Sequence, residues 1–148
     1  MKRAFLSAAL FLTAMLIYSQ SNEEIDAFMA KKQADVATAA YFTLSAAGMQ
    51  NAASTAEAAP GYLNENKWFK EELKGDELLK ASDASYLIMK AFAQKGGIMY
   101  SIAPGPRYAL KEIKYLKLID QKTDPAKIMT GEDFMILLSE FLSWKETN

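Results

Sequence analysis

The chain has no cysteine and no histidine. Without cysteine there is no disulfide framework, no thiolate nucleophile and no lipid-modified bacterial amino-terminal residue. Without histidine it lacks the commonest metal ligand and the side chain whose ordinary pKa suits general-base work near neutrality. Glycine and proline are sparse, 7 and 4 residues, while 51% of the chain is hydrophobic and 24% charged, which excludes a collagen-like or disordered polymer. Neither sign of charge dominates: 17 Lys+Arg face 18 Asp+Glu, so no basic field for nucleic acid exists. At 148 residues the chain suits one core and one domain.

What the sequence does hold begins at its amino terminus. Lys2 and Arg3 precede an apolar run from Ala4 to Tyr18 interrupted only by Ser7 and Thr13, and Ser19-Gln20-Ser21 then places small residues two apart. This is the pattern of a secretory signal peptide over residues 1–20, cut after Ser19 or Ser21. The run is 15 residues long, short of the ~20 that cross a bilayer, so a cleaved leader is expected rather than a permanent span. Its basic pair stays cytoplasmic and sends the rest outward, to the periplasm or outer envelope. Removing Lys2 and Arg3 leaves 15 cations against 18 acids, a net charge of −3.

Helical spacing dominates the remainder. Ser21 and Glu24 have capping-box spacing ahead of Ile25, Phe28 and Met29. Asp35 to Ala47 carries Val36, Ala40, Leu44 and Ala47 on one face, with Gly48 placed to stop the helix. Ser54 and Glu57 form a second capping box for a short helix through Ala59 and Leu63, with Pro60 in its first turns. The clearest stripe is Ala84, Leu87, Ile88, Ala91 and Phe92, expected to start after Ser82 and stop at Gly96-Gly97. The apolar run Ile98–Ile102 could extend or pair as a minor strand before the Pro104-Gly105-Pro106 turn. Arg107 to Ile119 reads as a helix burying Ala109, Ile113 and Leu116. Thr130 caps a last helix with Phe134, Leu137, Leu138, Phe141 and Leu142 inward and acids in its first turn.

A shift of 49 positions lays Leu87-Ile88-Met89 on Ile136-Leu137-Leu138 and Phe92 on Phe141, suggesting two copies of one unit. Between them lies Tyr108-Ala109-Leu110-Lys111-Glu112-Ile113-Lys114-Tyr115-Leu116-Lys117-Leu118-Ile119, then a polar loop and Met129-Thr130-Gly131-Glu132-Asp133-Phe134. This order resembles the S-layer homology domain over residues 76 to about 142, which implies packed helix-loop-helix units that dock on cell-wall polysaccharide. The family's contact motif reads Thr-Arg-Ala-Glu; here it is Thr130-Gly131-Glu132-Asp133, so the sugar-facing arginine is missing. The strings Lys95-Gly96-Gly97-Ile98-Met99-Tyr100 and Pro104-Gly105-Pro106-Arg107-Tyr108-Ala109 look like a segment of spirochaete-type envelope proteins, which implies the same address.

Arg107 is the only arginine after Arg3. Its planar fork suits a carboxylate or phosphate, and Tyr100 and Tyr108 could stack a sugar or the guanidinium itself, with Lys111 one turn on. The plainer alternative is an internal ion pair that pins the Pro-Gly-Pro turn. Tyr62, Trp68 and Phe69 supply a second candidate platform, although in so small a domain large aromatics are expected first of all in the core. The adjacent acids Glu23-Glu24, Glu71-Glu72 and Glu132-Asp133 point about 100° apart on a helix and make no facing catalytic pair. Asp120, Asp124 and Glu132 lack the spacing of a calcium loop, and Gly96-Gly97 lacks the strand-loop-helix setting of a phosphate loop.

The expectation is therefore an all-α bundle of about five helices with at most a minor β pair near Ile98 and Ile128, residues 21–75 forming an N-terminal helical region and 76–148 an S-layer-homology-like region within one domain. The expected function is non-catalytic, needing no cofactor or metal: binding a wall polymer or a partner envelope protein through Tyr100, Arg107, Tyr108 and Lys111. A chaperone-like subunit that uses its six remaining methionines to hold another envelope protein is the alternative. A wall-sugar hydrolase stands third.

Overall fold

The computed structural model describes residues 22–49 and 51–148. The expected leader, its cleavage points and the Ser21 half of the first capping box lie outside that range. Among the described residues there are seven helical segments rather than about five: α1 over 22–29, α2 Val36–Ala46, α3 Ala59–Glu65, α4 Ala81–Ala91, α5 Ile98–Ile102, α6 Pro106–Tyr115 and α7 Gly131–Thr147. Among the described residues the fold is all-α, with isolated antiparallel bridges and no sheet.

Helix starts follow the side chains able to satisfy free amides. The Asp35 carboxylate accepts from the Thr38 amide at 2.8 Å and the Thr130 hydroxyl accepts from the Asp133 amide at 2.9 Å, each satisfying one of the unpaired amides of a helix's first turn. Elsewhere the expected starts are corrected. The Ser54–Glu57 box does not open α3, which begins after Ala58 with Pro60 in its first turn. Proline fits there because its missing amide would have no partner. α4 begins at Ala81, after an uncapped Lys80, and draws Ser82 and Ser85 into its buried side; the Ser85 hydroxyl donates to the Ala81 carbonyl at 2.8 Å, which removes the cost of burying it.

Four helices end alike. In α2, α3, α4 and α6 a residue in the left-handed region follows the last turn, Gly48, Lys67, Ala93 and Lys117 respectively. The next amide reaches back five residues, from Met49 to Leu44, Trp68 to Leu63, Gln94 to Met89 and Leu118 to Ile113, at 2.8 to 3.1 Å. This is the Schellman closure of a helix terminus. It stops α4 at Ala91, five residues before the glycine pair, and α6 at Tyr115 rather than Ile119.

The expectation of a strand over Ile98–Ile102 is also corrected. Gly97 is extended, the chain then turns into α5, and the Ser101 hydroxyl donates to the Gly97 carbonyl at 3.1 Å. Tyr100 packs inward edge-on to Tyr86, their ring centroids 6.3 Å apart, and among the described residues no strand lies alongside to pair with. Ile128 does form a bridge, but with Lys80.

A closed ring of backbone hydrogen bonds organises these elements. The Ala34 amide donates to the Met129 carbonyl (2.8 Å), Met129 to Leu79 (2.9 Å) and Leu79 to Ala34 (2.8 Å). One turn outward, the first helical amides repeat the pattern at 2.9 Å each: Val36 to Glu77, Ala81 to Lys127 and Gly131 to Lys31. Three helix starts, those of α2, α4 and α7, thus meet around one axis. Each is the second helix of a helix-loop-helix unit, α1–α2, α3–α4 and α6–α7, and the repeat crosses the expected boundary at residue 75. The ring sets the register between the last two units at 50, pairing Lys80 with Thr130, Ala84 with Phe134 and Leu87 with Leu137. The shift of 49 is off by one, and Phe92 and Phe141, which it superimposes, are packing partners with centroids 5.3 Å apart.

Packing follows the same cycle: α2 lies on α3, α4 on α6, and α7 on the end of α1, where Phe28 meets Phe134 edge-on at 5.9 Å. Leu44, Leu63, Ile88, Ile113, Phe134 and Phe141 are fully buried where these helices converge, each contributing about 1.5–3 kcal/mol by leaving water. Among the described residues no helix is long and apolar enough to cross a membrane.

Candidate functional site

Each unit has a cleft beside the first two turns of its second helix, and the three differ in size and lining. The largest, about 620 Å³, lies between the α3–α4 loop, the start of α4 and the turn from α5 into α6. Its ring-related counterpart around Asp133 and Ile136 is about 240 Å³, and the one around Thr38 and Tyr41 about 390 Å³.

The large cleft is built by local closures. The α3 terminus sets Trp68 on its loop, and Asn64 clamps that loop from below, its amide group donating to the Leu73 carbonyl and accepting from the Leu73 amide, both at 2.9 Å. Trp68 and Phe69 are therefore held half-buried, Trp68 edge-on to Tyr62 at 5.9 Å and Phe69 edge-on to Tyr86 at 5.1 Å. The opposite wall is Pro104-Gly105-Pro106 followed by Arg107 and Tyr108 at the start of α6.

Of the four residues expected to bind ligand, the structure brings Arg107 and Tyr108 together in this cleft. Lys111 is one turn on, its ammonium 5.4 Å from the centre of the Tyr108 ring, a cation–π distance that holds the ring's orientation. Tyr100 is corrected: only 8% exposed, it supports Tyr86 from behind and does not line this cleft. Burial, with the charges of Tyr86 and Glu112 nearby, pushes its hydroxyl up to about 12, so it stays neutral. Arg107 is exposed and takes no part in the ion pairs found among the described residues, Lys31 with Asp35 and Lys127 with Asp133. The internal pair that would pin the turn is not formed there. A cation in the first turn of α6, where the helix dipole disfavours it, is left available to an outside acceptor.

The floor carries the acid Asp83. Burial raises its carboxyl above the usual range; the Lys80 charge and the Ser82 hydroxyl draw it back without cancelling, and Glu77 adds to the rise. Burial alone raises Tyr86. Glu71, Glu72 and Glu77 line the rim, giving a cleft of aromatic faces edged by both signs of charge.

The position of the resembled family's arginine is closed. A Cβ on Gly131 would lie 1.7 Å from the Phe28 carbonyl oxygen, and the ring equivalents Val36 and Ala81 are buried. The loop acids serve turns: Asp120 accepts from the Lys122 amide at 2.6 Å and Asp124 from the Ala126 amide at 2.7 Å. Among the described residues no group of three or more His, Cys, Asp or Glu side chains is placed to hold a metal ion. No family model, curated protein or solved structure matches the chain.

Sequence reasoning missed Tyr86, Asp83 and Asn64. Tyr86 sits inside the best helical stripe, where a tyrosine reads as core, and only the ring brings it to the cleft.

Proposed function

We propose that this chain is an exported, non-catalytic binding domain that takes a cell-wall polymer, peptidoglycan or a related glycan, in the cleft between Trp68 and Arg107. The observation that carries the reading is the pairing of an exposed Arg107, without an ion partner among the described residues, with the aromatic faces of Trp68, Phe69, Tyr86 and Tyr108 in one cleft. Sugar rings stack on aromatic faces, while a guanidinium fork takes the carboxylates that wall peptides and acidic glycans carry. The signal pattern over 1–20 supports the address, periplasm or outer envelope. The likeness to S-layer homology units supports the ligand class, with the contact moved from the family's arginine position, closed here by Phe28, to Arg107.

Co-sedimentation with purified wall sacculi tests this. The wild-type protein is expected in the pellet, and Arg107→Ala, an exposed change that leaves the core intact, should weaken retention about tenfold or more, as loss of a charge-assisted hydrogen bond at about 1.5 kcal/mol implies. Wild-type protein remaining in the supernatant would remove the wall reading.

A further inference from the structure

We propose that α5 is a docking prong for the surface of an anionic lipid bilayer. Three of its five side chains point away from the protein: Ile98, Met99 and Ile102 are 76%, 61% and 74% exposed. At spacing i, i+1, i+4 they share one side of the helix. The same helix is held firmly from behind. Tyr100 is buried against Tyr86, Gly96 passes so close beneath that a Cβ there would lie 2.8 Å from the Tyr100 side chain, and Gly97 packs by Glu112. A rigid support that presents two isoleucines and a methionine to water leaves apolar surface to be covered by something else.

Charge identifies the cover. From residue 90 to 117 the chain carries Lys90, Lys95, Arg107, Lys111, Lys114 and Lys117 against the single acid Glu112. The rest of residues 22–148 holds nine cations against seventeen acids. Lys90 and Lys95 border a shallow cleft shared with Tyr100 and Ser101 of α5, so the apolar prong rises from the one basic segment of an otherwise acidic domain. A bilayer interface matches both halves, its acyl boundary taking the isoleucines and its phosphates the lysines. A second copy of the chain would set like charge against like. Arg107 lines the Trp68–Arg107 cleft and Lys111 sits against its Tyr108, but Ile98, Met99, Ile102, Lys90 and Lys95 all lie outside it, so the variants below test this surface without touching the wall site.

Because the chain has no cysteine, one introduced thiol reports on one place. Full-length protein carrying Ile102→Cys, labelled with an environment-sensitive fluorophore, is mixed with phosphatidylcholine vesicles with and without phosphatidylglycerol. The emission should shift to the blue only with the anionic vesicles and return at high salt, while the same label at Glu140→Cys on α7 stays unchanged. Adding Lys90→Gln and Lys95→Gln should weaken partitioning roughly fivefold per lysine removed. An unchanged Ile102 label on anionic vesicles overturns the proposal, including the case where the apolar run Ala4–Tyr18 alone holds the protein there. So does an equal shift with neutral vesicles, or a shift that appears without lipid as protein concentration rises or when a protein client is added.

Discussion

The second and third units start their long helices on the same backbone plan and put it to opposite uses. At α4 the ring neighbour is the loop before α7, which reaches the Ala81 amide through the Lys127 carbonyl and leaves the cleft of about 620 Å³ open beside Asp83 and Tyr86. At α7 the neighbour is the end of α1, whose Phe28 carbonyl is pressed onto Gly131, and the equivalent cleft shrinks to about 240 Å³ floored by Leu118, Ile119 and Leu137. One helix start is a docking place for the chain itself and the other is left open, the cleft in which the proposed ligand would sit. A repeat can thus keep its scaffold constant and specialise a single copy, through the length and chemistry of what its neighbour brings.

Substitutions at matched positions break that comparison most sharply where the fit is tightest. Gly131→Ala should destabilise by about 3 kcal/mol, because backbone rather than a movable side chain has to yield, whereas Ala81→Gly at the matched position should cost about 1 kcal/mol from backbone entropy. Urea unfolding of the two variants checks the contrast, and equal losses would mean that the α1 contact does not distinguish the units. A smaller effect separates the caps. Asp35→Ala and Thr130→Ala should each cost about 1 kcal/mol near neutral pH, but they should part on acidification. Burial tends to raise the Asp35 carboxyl, yet hydrogen bonds from Lys31 and Thr38 and the Lys31 charge outweigh it, so its folded pKa lies below the ordinary value. Its contribution is therefore complete above the unfolded aspartate pKa, about 3.9, and is lost as pH falls through the depressed folded value. Thermal melts through that window should show the Asp35→Ala deficit closing while the Thr130→Ala deficit persists. Smallest is a gain: Ala93→Gly relieves a left-handed alanine at the end of α4, φ 48°, and should stabilise by about 1 kcal/mol, the steric cost a Cβ incurs there, measurable as a raised melting temperature.

Much of this architecture is legible in the residues, and what is not has identifiable causes. α2, α4 and α7 show themselves because their apolar faces repeat at helical spacing and two of them carry oxygen caps. The ends of α3, α4 and α6 are hidden because Lys67, Ala93 and Lys117 occupy left-handed positions where glycine would have announced a stop. α5 misleads because two β-branched isoleucines within five residues favour extended chain locally, while the burial of Tyr100 against Tyr86, a contact invisible in the sequence, decides for a helix. The register slips by one because consecutive apolar residues match almost as well at 49 as at 50, and only the backbone ring separates them. Arg107 and Tyr108 are readable as a candidate site from their own chemistry; Trp68 and Tyr86, which share their cleft, lie about forty and twenty positions away and are gathered by the ring.

That ring has a consequence for how the protein comes apart. An open stack of repeats frays from its ends, and each terminal repeat needs a polar cap to survive. Here Ala34, Leu79 and Met129 each give one hydrogen bond and receive one, so no unit is terminal. Losing any third strips two neighbours at once and leaves both with unpaired amides or carbonyls in the core. Excising α1–α2 should therefore not release a smaller folded protein, and exchange of the amides of Ala34, Leu79 and Met129 with solvent should proceed at one common rate set by global opening.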